Sequence, residues 1–138
     1  MNRPSIALWI AAMVALAAAT FARAAPRDVP VIVGEEAELD ACTSWAKVKG
    51  LDPKGDGFLA VRGGPGAGYA LRDRLREGDE FFVCNYSRDN KWLAIVYPRK
   101  GQDAGDCGVS TSLPKPVAYR GPCAWGWVHG KWTEFLAG

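Results

Sequence analysis

The sequence predicts an all-β domain, a small barrel of five or six short strands, on three observations. Sixteen glycines and nine prolines among 138 residues punctuate the chain too densely for long helices. The apolar stretches between them are short and several alternate with a period of two, as half-buried strands do. A composition of 49% hydrophobic and 23% charged residues is that of a folded chain, and the length allows one domain of ordinary size.

The elements follow in chain order. Arg3, the uncharged run Ile6 to Ala19 and the small-x-small pattern Ala22-Arg23-Ala24 form the three parts of a secretory signal peptide, residues 1–24. The run is too short to span a bilayer, which takes about 20 apolar residues, so no stable membrane insertion is expected once the segment is cleaved. Residues 25–49 read as an N-terminal arm with one strand, Val29 to Val33. Its acidic run Glu35, Glu36, Glu38 and Asp40 is compatible with a short helix from Glu35 into Trp45. The barrel domain is assigned to residues 50–138. Asp52-Pro53-Lys54-Gly55-Asp56-Gly57 is a turn, since the bidentate Glu that closes a calcium loop is missing after Asp52 and Asp56. Phe58 to Arg62 is a strand, Gly63 to Gly68 a loop, and Phe81 to Tyr86 and Lys91 to Tyr97 are two strands joined as an antiparallel hairpin by Ser87-Arg88-Asp89-Asn90. Residues 98–123 interrupt the pattern as an insertion, and Trp125 to His129 and Trp132 to Leu136 are the closing strands.

Charge narrows the partners. Cleavage after Ala24 removes Arg3 and Arg23 and no acid, so 17 basic and 15 acidic residues become 15 of each. A balanced chain lacks the basic excess that nucleic-acid binding requires. Arg72, Arg74 and Arg76 share one face of a strand or turn but lie beside Asp73, Glu77, Asp79 and Glu80, which makes them a self-paired surface.

Four cysteines in a small exported chain read as two disulfides. Of the three possible pairings, Cys107 with Cys123 and Cys42 with Cys84 are favoured. The first clips a Gly/Pro-rich loop with little core of its own; the second ties the arm to a strand. Each closure contributes about 3 to 4 kcal/mol in the chain-entropy model. Zinc is disfavoured, because there is no CxxC pair and His129 is the only histidine. The glycine loop lacks the Lys-Ser/Thr pair of a phosphate cradle, and Pro65 removes a backbone donor from it. Nothing assembles a nucleophile beside a base, so no catalysis and no cofactor are expected.

Four motifs in order carry a resemblance. Ala60-Val61-Arg62-Gly63-Gly64-Pro65-Gly66, Leu75-Arg76-Glu77-Gly78-Asp79, Lys91-Trp92-Leu93-Ala94-Ile95 and Gly126-Trp127-Val128-His129 resemble the successive motifs of the bacterial SH3-like domain family, with Trp132 and Leu136 in its final strand. The match runs from about Phe58 to Leu136. Ala60 replaces the family's Asn, and the 98–123 insertion stands where a short turn is usual.

The resemblance implies an SH3-like barrel that binds cell-wall peptides or extended protein segments without catalysis. By position its groove would be lined by Trp92, then His129 with Trp132, and Tyr69 on the glycine-loop side. Rigid aromatic faces suit that task, although a small barrel also needs some of its tryptophans for its core. The expected protein is a periplasmic or secreted binding module with peptidoglycan or an envelope protein as partner. The alternatives are an inhibitor module acting on an exported enzyme through residues 98–123 and a small hydrolase using carboxylates such as Asp52 and Asp56.

Overall fold

The computed structural model describes residues 23–138; the expected signal segment, as far as residue 22, lies outside the described residues. Nine strands follow in order: β1 (Ile32–Val33), β2 (Ser44–Val48), β3 (Leu59–Arg62), β4 (Leu71–Leu75), β5 (Glu80–Tyr86), β6 (Trp92–Tyr97), β7 (Val117–Ala118), β8 (Ala124–His129) and β9 (Thr133–Ala137). Two short 3₁₀ turns, Ala104–Cys107 and Gly130–Trp132, complete the regular structure. Seven strands form one antiparallel sheet in the order β4-β3-β8-β6-β5-β2-β9, and β1 pairs with β7 in a separate ribbon. The all-β expectation holds.

Several details of the expected architecture are corrected. The sheet keeps two edges, β4 and β9, so no barrel closed by hydrogen bonds is seen among the described residues. The acidic run forms bends and turns and not a helix, and the Ala41 and Cys42 N–H groups that follow it donate to the carbonyls of Thr111 and Val109 instead of to a preceding helical turn. The segment assigned to the arm also supplies β2, which sits between β5 and β9 in the main sheet, with Ala46 opposite Phe81 on one side and Phe135 on the other.

Alternation on these strands builds two cores. On one face, Val48, Val61, Phe81, Val83, Ile95 and Val128 are almost wholly buried. On the other face lie Ala94, Val96 and Trp127, covered by Val31 and Val33 from the N-terminal segment and by Val109 and Tyr119 from the insertion. β6 is therefore buried on both sides, and its near-continuous apolar sequence follows from that. Gly126 faces the first core; a β-carbon there would collide with Val61 and with the Arg62 backbone oxygen at 2.9 Å, so only glycine lets β8 and β3 approach.

Both favoured disulfides are formed, Cys42–Cys84 and Cys107–Cys123. A bulge in β5 between Val83 and Asn85 adjoins the first. The extra residue turns Cys84 and Asn85 toward the same side, where Cys84 meets Cys42 and the Asn85 amide donates to Glu35 at 3.0 Å. The 98–123 insertion is not a free loop: Cys107, Val109, Tyr119 and Cys123 are buried in the second core, and the Tyr119 hydroxyl donates to the Cys107 carbonyl at 2.9 Å. Disulfides of this kind fit an oxidising, non-cytoplasmic environment. No helix among the described residues is long and apolar enough to cross a membrane.

At the end of β6, the Tyr97 hydroxyl donates to Asp73 Oδ2 at 2.8 Å. Burial first, then this bond and the Asp73 charge, push the Tyr97 pKa well above its ordinary 10.0. A phenol held protonated more firmly in the fold stabilises fully below about pH 10, and that contribution is lost as pH rises above it. Urea unfolding at pH 8 and at alkaline pH should show Tyr97→Phe weaker by about 1 kcal/mol at pH 8 and with a shallower decline above pH 10.

Candidate functional site

Three of the four nominated residues come together. Trp92 begins β6, His129 ends β8, and the two are partners in the β6–β8 register. Their rings meet edge to face with centroids 5.3 Å apart. The chain then turns through Gly130–Trp132, a turn closed by the Lys131 N–H donating to His129 Nδ1 at 3.1 Å and by the Thr133 hydroxyl donating to the Gly130 carbonyl at 2.7 Å. That turn carries Trp132 to the same place. Together they line a cleft of about 450 Å³ whose other wall is the 51–59 segment with Phe58.

Each of these rings has a partly structural role. Trp92 packs on the second core and Trp132 on the first, so both are half-buried, anchored on one side and available on the other. Lys131 Nζ stands 4.8 Å from the centre of the Trp132 ring, and the Arg74 guanidinium 5.1 Å from that of Phe58. The cleft aromatics are thus held at fixed angles, which limits the entropy lost when a ligand is gripped. Trp127 is buried and donates its indole N–H to the Val29 carbonyl at 2.9 Å, a core position.

Tyr69 is not brought into the cleft. Its ring lies against Gly64 and Gly66 so closely that Gly64 has no room for a β-carbon. Its backbone oxygen accepts from Arg62 Nη1 at 3.1 Å. Tyr69 therefore shapes the glycine loop, and it reaches the cleft only through Arg62, which lines it. Asp52 and Asp56 line the cleft as well, on the turn read from the sequence as a plain connection; Asp52 Oδ1 accepts from the Lys54 N–H at 2.9 Å. Phe58 and Arg62 were the cleft residues missed by sequence reasoning, because a strand's first aromatic or last arginine carries no local mark of facing a cavity.

The first member of the arginine cluster is paired not with the neighbouring acids, as expected, but with a distant one. Arg72 forms an ion pair with Asp28 at 2.6 Å and lies 4.0 Å over the Trp125 ring, which straps the N-terminal segment to β4 and β8. The Val29 N–H donates to the Gly63 carbonyl at 2.7 Å beside it.

The cleft holds aromatic faces, a histidine ring, two carboxylates and one guanidinium, groups that grip an extended chain through its apolar side chains and peptide edges. Compared with family models, curated proteins and solved structures, the chain matches none of them.

Proposed function

We propose that the protein is a non-catalytic binding module of the cell envelope, exported by its signal peptide, whose aromatic cleft holds a peptidoglycan stem peptide. The supporting observation is that Trp92 from one stretch of sequence and His129 with Trp132 from another line one cleft. The four-motif resemblance supports reading the fold as an SH3-like barrel left open between β4 and β9. The inhibitor reading through residues 98–123 draws less support, since the apolar residues of that insertion are largely buried against the sheet.

Sedimentation with purified peptidoglycan tests the reading. The wild type is expected to be retained, and Trp92→Ala and Trp132→Ala each to lower retention about tenfold, the loss of one aromatic anchor. Far-ultraviolet circular dichroism confirms that the variants remain folded. Absence of wild-type retention, or equal retention of all three proteins, refutes it.

A further inference from the structure

A second cleft lies apart from the one lined by Trp92, His129 and Trp132. It encloses about 670 Å³ at the opposite end of β6, between Trp45 of β2, Asp73–Leu75 of β4, the start of β5 and the first residues of the insertion. At about 3.3 Å per residue, the length of β6 separates the two clefts by roughly 17 Å. They share no lining residue.

Three features describe what this second cleft accepts. Its indole is fixed: Trp45 Nε1 donates to Glu80 Oε2 at 3.0 Å, and the ring meets Phe82 edge on at a centroid distance of 4.4 Å. Its acceptors are fixed as well, since Asp73 receives the hydroxyl of Tyr97, a residue only 5% exposed, and the Arg74 N–H at 2.7 Å. Its charge is balanced, with three carboxylates lined up against Arg74, Arg99 and Lys100. A cleft with no net charge gives no electrostatic advantage to an anion or a cation. What it offers is a flat apolar face ringed by both donors and acceptors, in a volume that suits a ligand of disaccharide size.

We propose that this cleft binds a neutral oligosaccharide, with a pyranose ring packed on the Trp45 indole and hydroxyls hydrogen-bonded to the Asp73 and Glu80 carboxylates and to the Arg99 side chain. A ring hydroxyl both donates and accepts, so it matches the mixed rim, while the C–H face of the ring matches the indole. The insertion contributes Pro98, Arg99 and Lys100, and so extends a binding surface at the end of the sheet away from the aromatic cleft. The proposal rests on the envelope reading only for the natural source of the sugar.

Nuclear magnetic resonance titration of the disulfide-intact protein with chitotetraose is the test. Saturable shifts are expected at the Trp45 indole N–H and the amides of Asp73 and Glu80. Trp45→Ala should lower affinity at least tenfold and Asp73→Asn several-fold, whereas Trp92→Ala should leave it unchanged. Trp45→Phe, which keeps the packing on Phe82, covers the event that the alanine variant does not fold, and it should weaken binding by a smaller factor. No saturable binding, shifts confined to Trp92 and Trp132, or preferential binding of inorganic phosphate or free lysine in this cleft would overturn the proposal. Because Trp92→Ala is silent here and decisive for peptidoglycan retention, failure of one reading is distinguishable from failure of the other.

Discussion

Replacing both Cys42 and Cys84 with alanine is expected to lower the unfolding free energy by about 4 kcal/mol, and the melting temperature by roughly 15 °C. The bond closes a loop with a sequence separation of 42, and the chain-entropy cost released on cutting it grows with the logarithm of that length. The two cysteines are also buried in the second core, so the loss is one of packing as well as of connectivity. Cutting Cys107–Cys123, with a separation of 16, should cost less, about 3 kcal/mol. Urea denaturation of the oxidised wild type and the two double variants measures both figures, and an equal or reversed order would contradict the assignment of the longer closure as the stronger staple.

Phe81→Ala should be comparably severe, at about 3 to 5 kcal/mol. Phe81 is 0% exposed on β5, opposite Ala46 of β2, and is the largest wholly buried side chain of the first core. The residues of its cluster sit almost all on hydrogen-bonded strands, which hold their backbones apart and limit collapse into the space left behind. Unfolding monitored by tryptophan fluorescence gives the value. A loss below about 1 kcal/mol would mean that the two faces of the sheet are not packed as described. Against a typical total of 5 to 15 kcal/mol, either change leaves little margin.

The strands that were legible in the sequence are apolar or alternating runs bounded by turn-forming residues: Leu59–Arg62, Glu80–Tyr86, Trp92–Tyr97, Ala124–His129 and Thr133–Ala137 each fall within a residue or so of the expected spans. The hairpin turn at Ser87–Asn90 was legible for the same reason, and Asn90 takes the left-handed conformation, φ 57°, that such turns favour. β4 was not legible as a strand because its sequence, Leu-Arg-Asp-Arg-Leu, is that of an edge with four exposed residues, and charge hides the period. β2 was obscured by the acidic run before it, and β7 is two residues long, defined by pairing with β1 and not by its own pattern. Of the candidate cleft, the aromatic members could be nominated from motif position. Phe58, Arg62 and the whole Trp45 cleft could not, since they depend on which strand ends the sheet brings together across long stretches of chain. Tyr69 was misplaced for the opposite reason: a tyrosine in a glycine loop looks like a ligand contact, whereas its ring fills the space the glycines leave.

The position of β2 has a consequence in time. Ser44–Val48 lies between β5 and β9, and its outer partners, Thr133–Ala137, are the last strand of the chain. Pairing over so long a separation demands a large loop closure before any contact rewards it, which places this sheet among slow folders. During synthesis β2 can pair first with β5, but its other edge stays unpaired until Thr133–Ala137 has been made, so the sheet is completed by its most sequence-distant pairing.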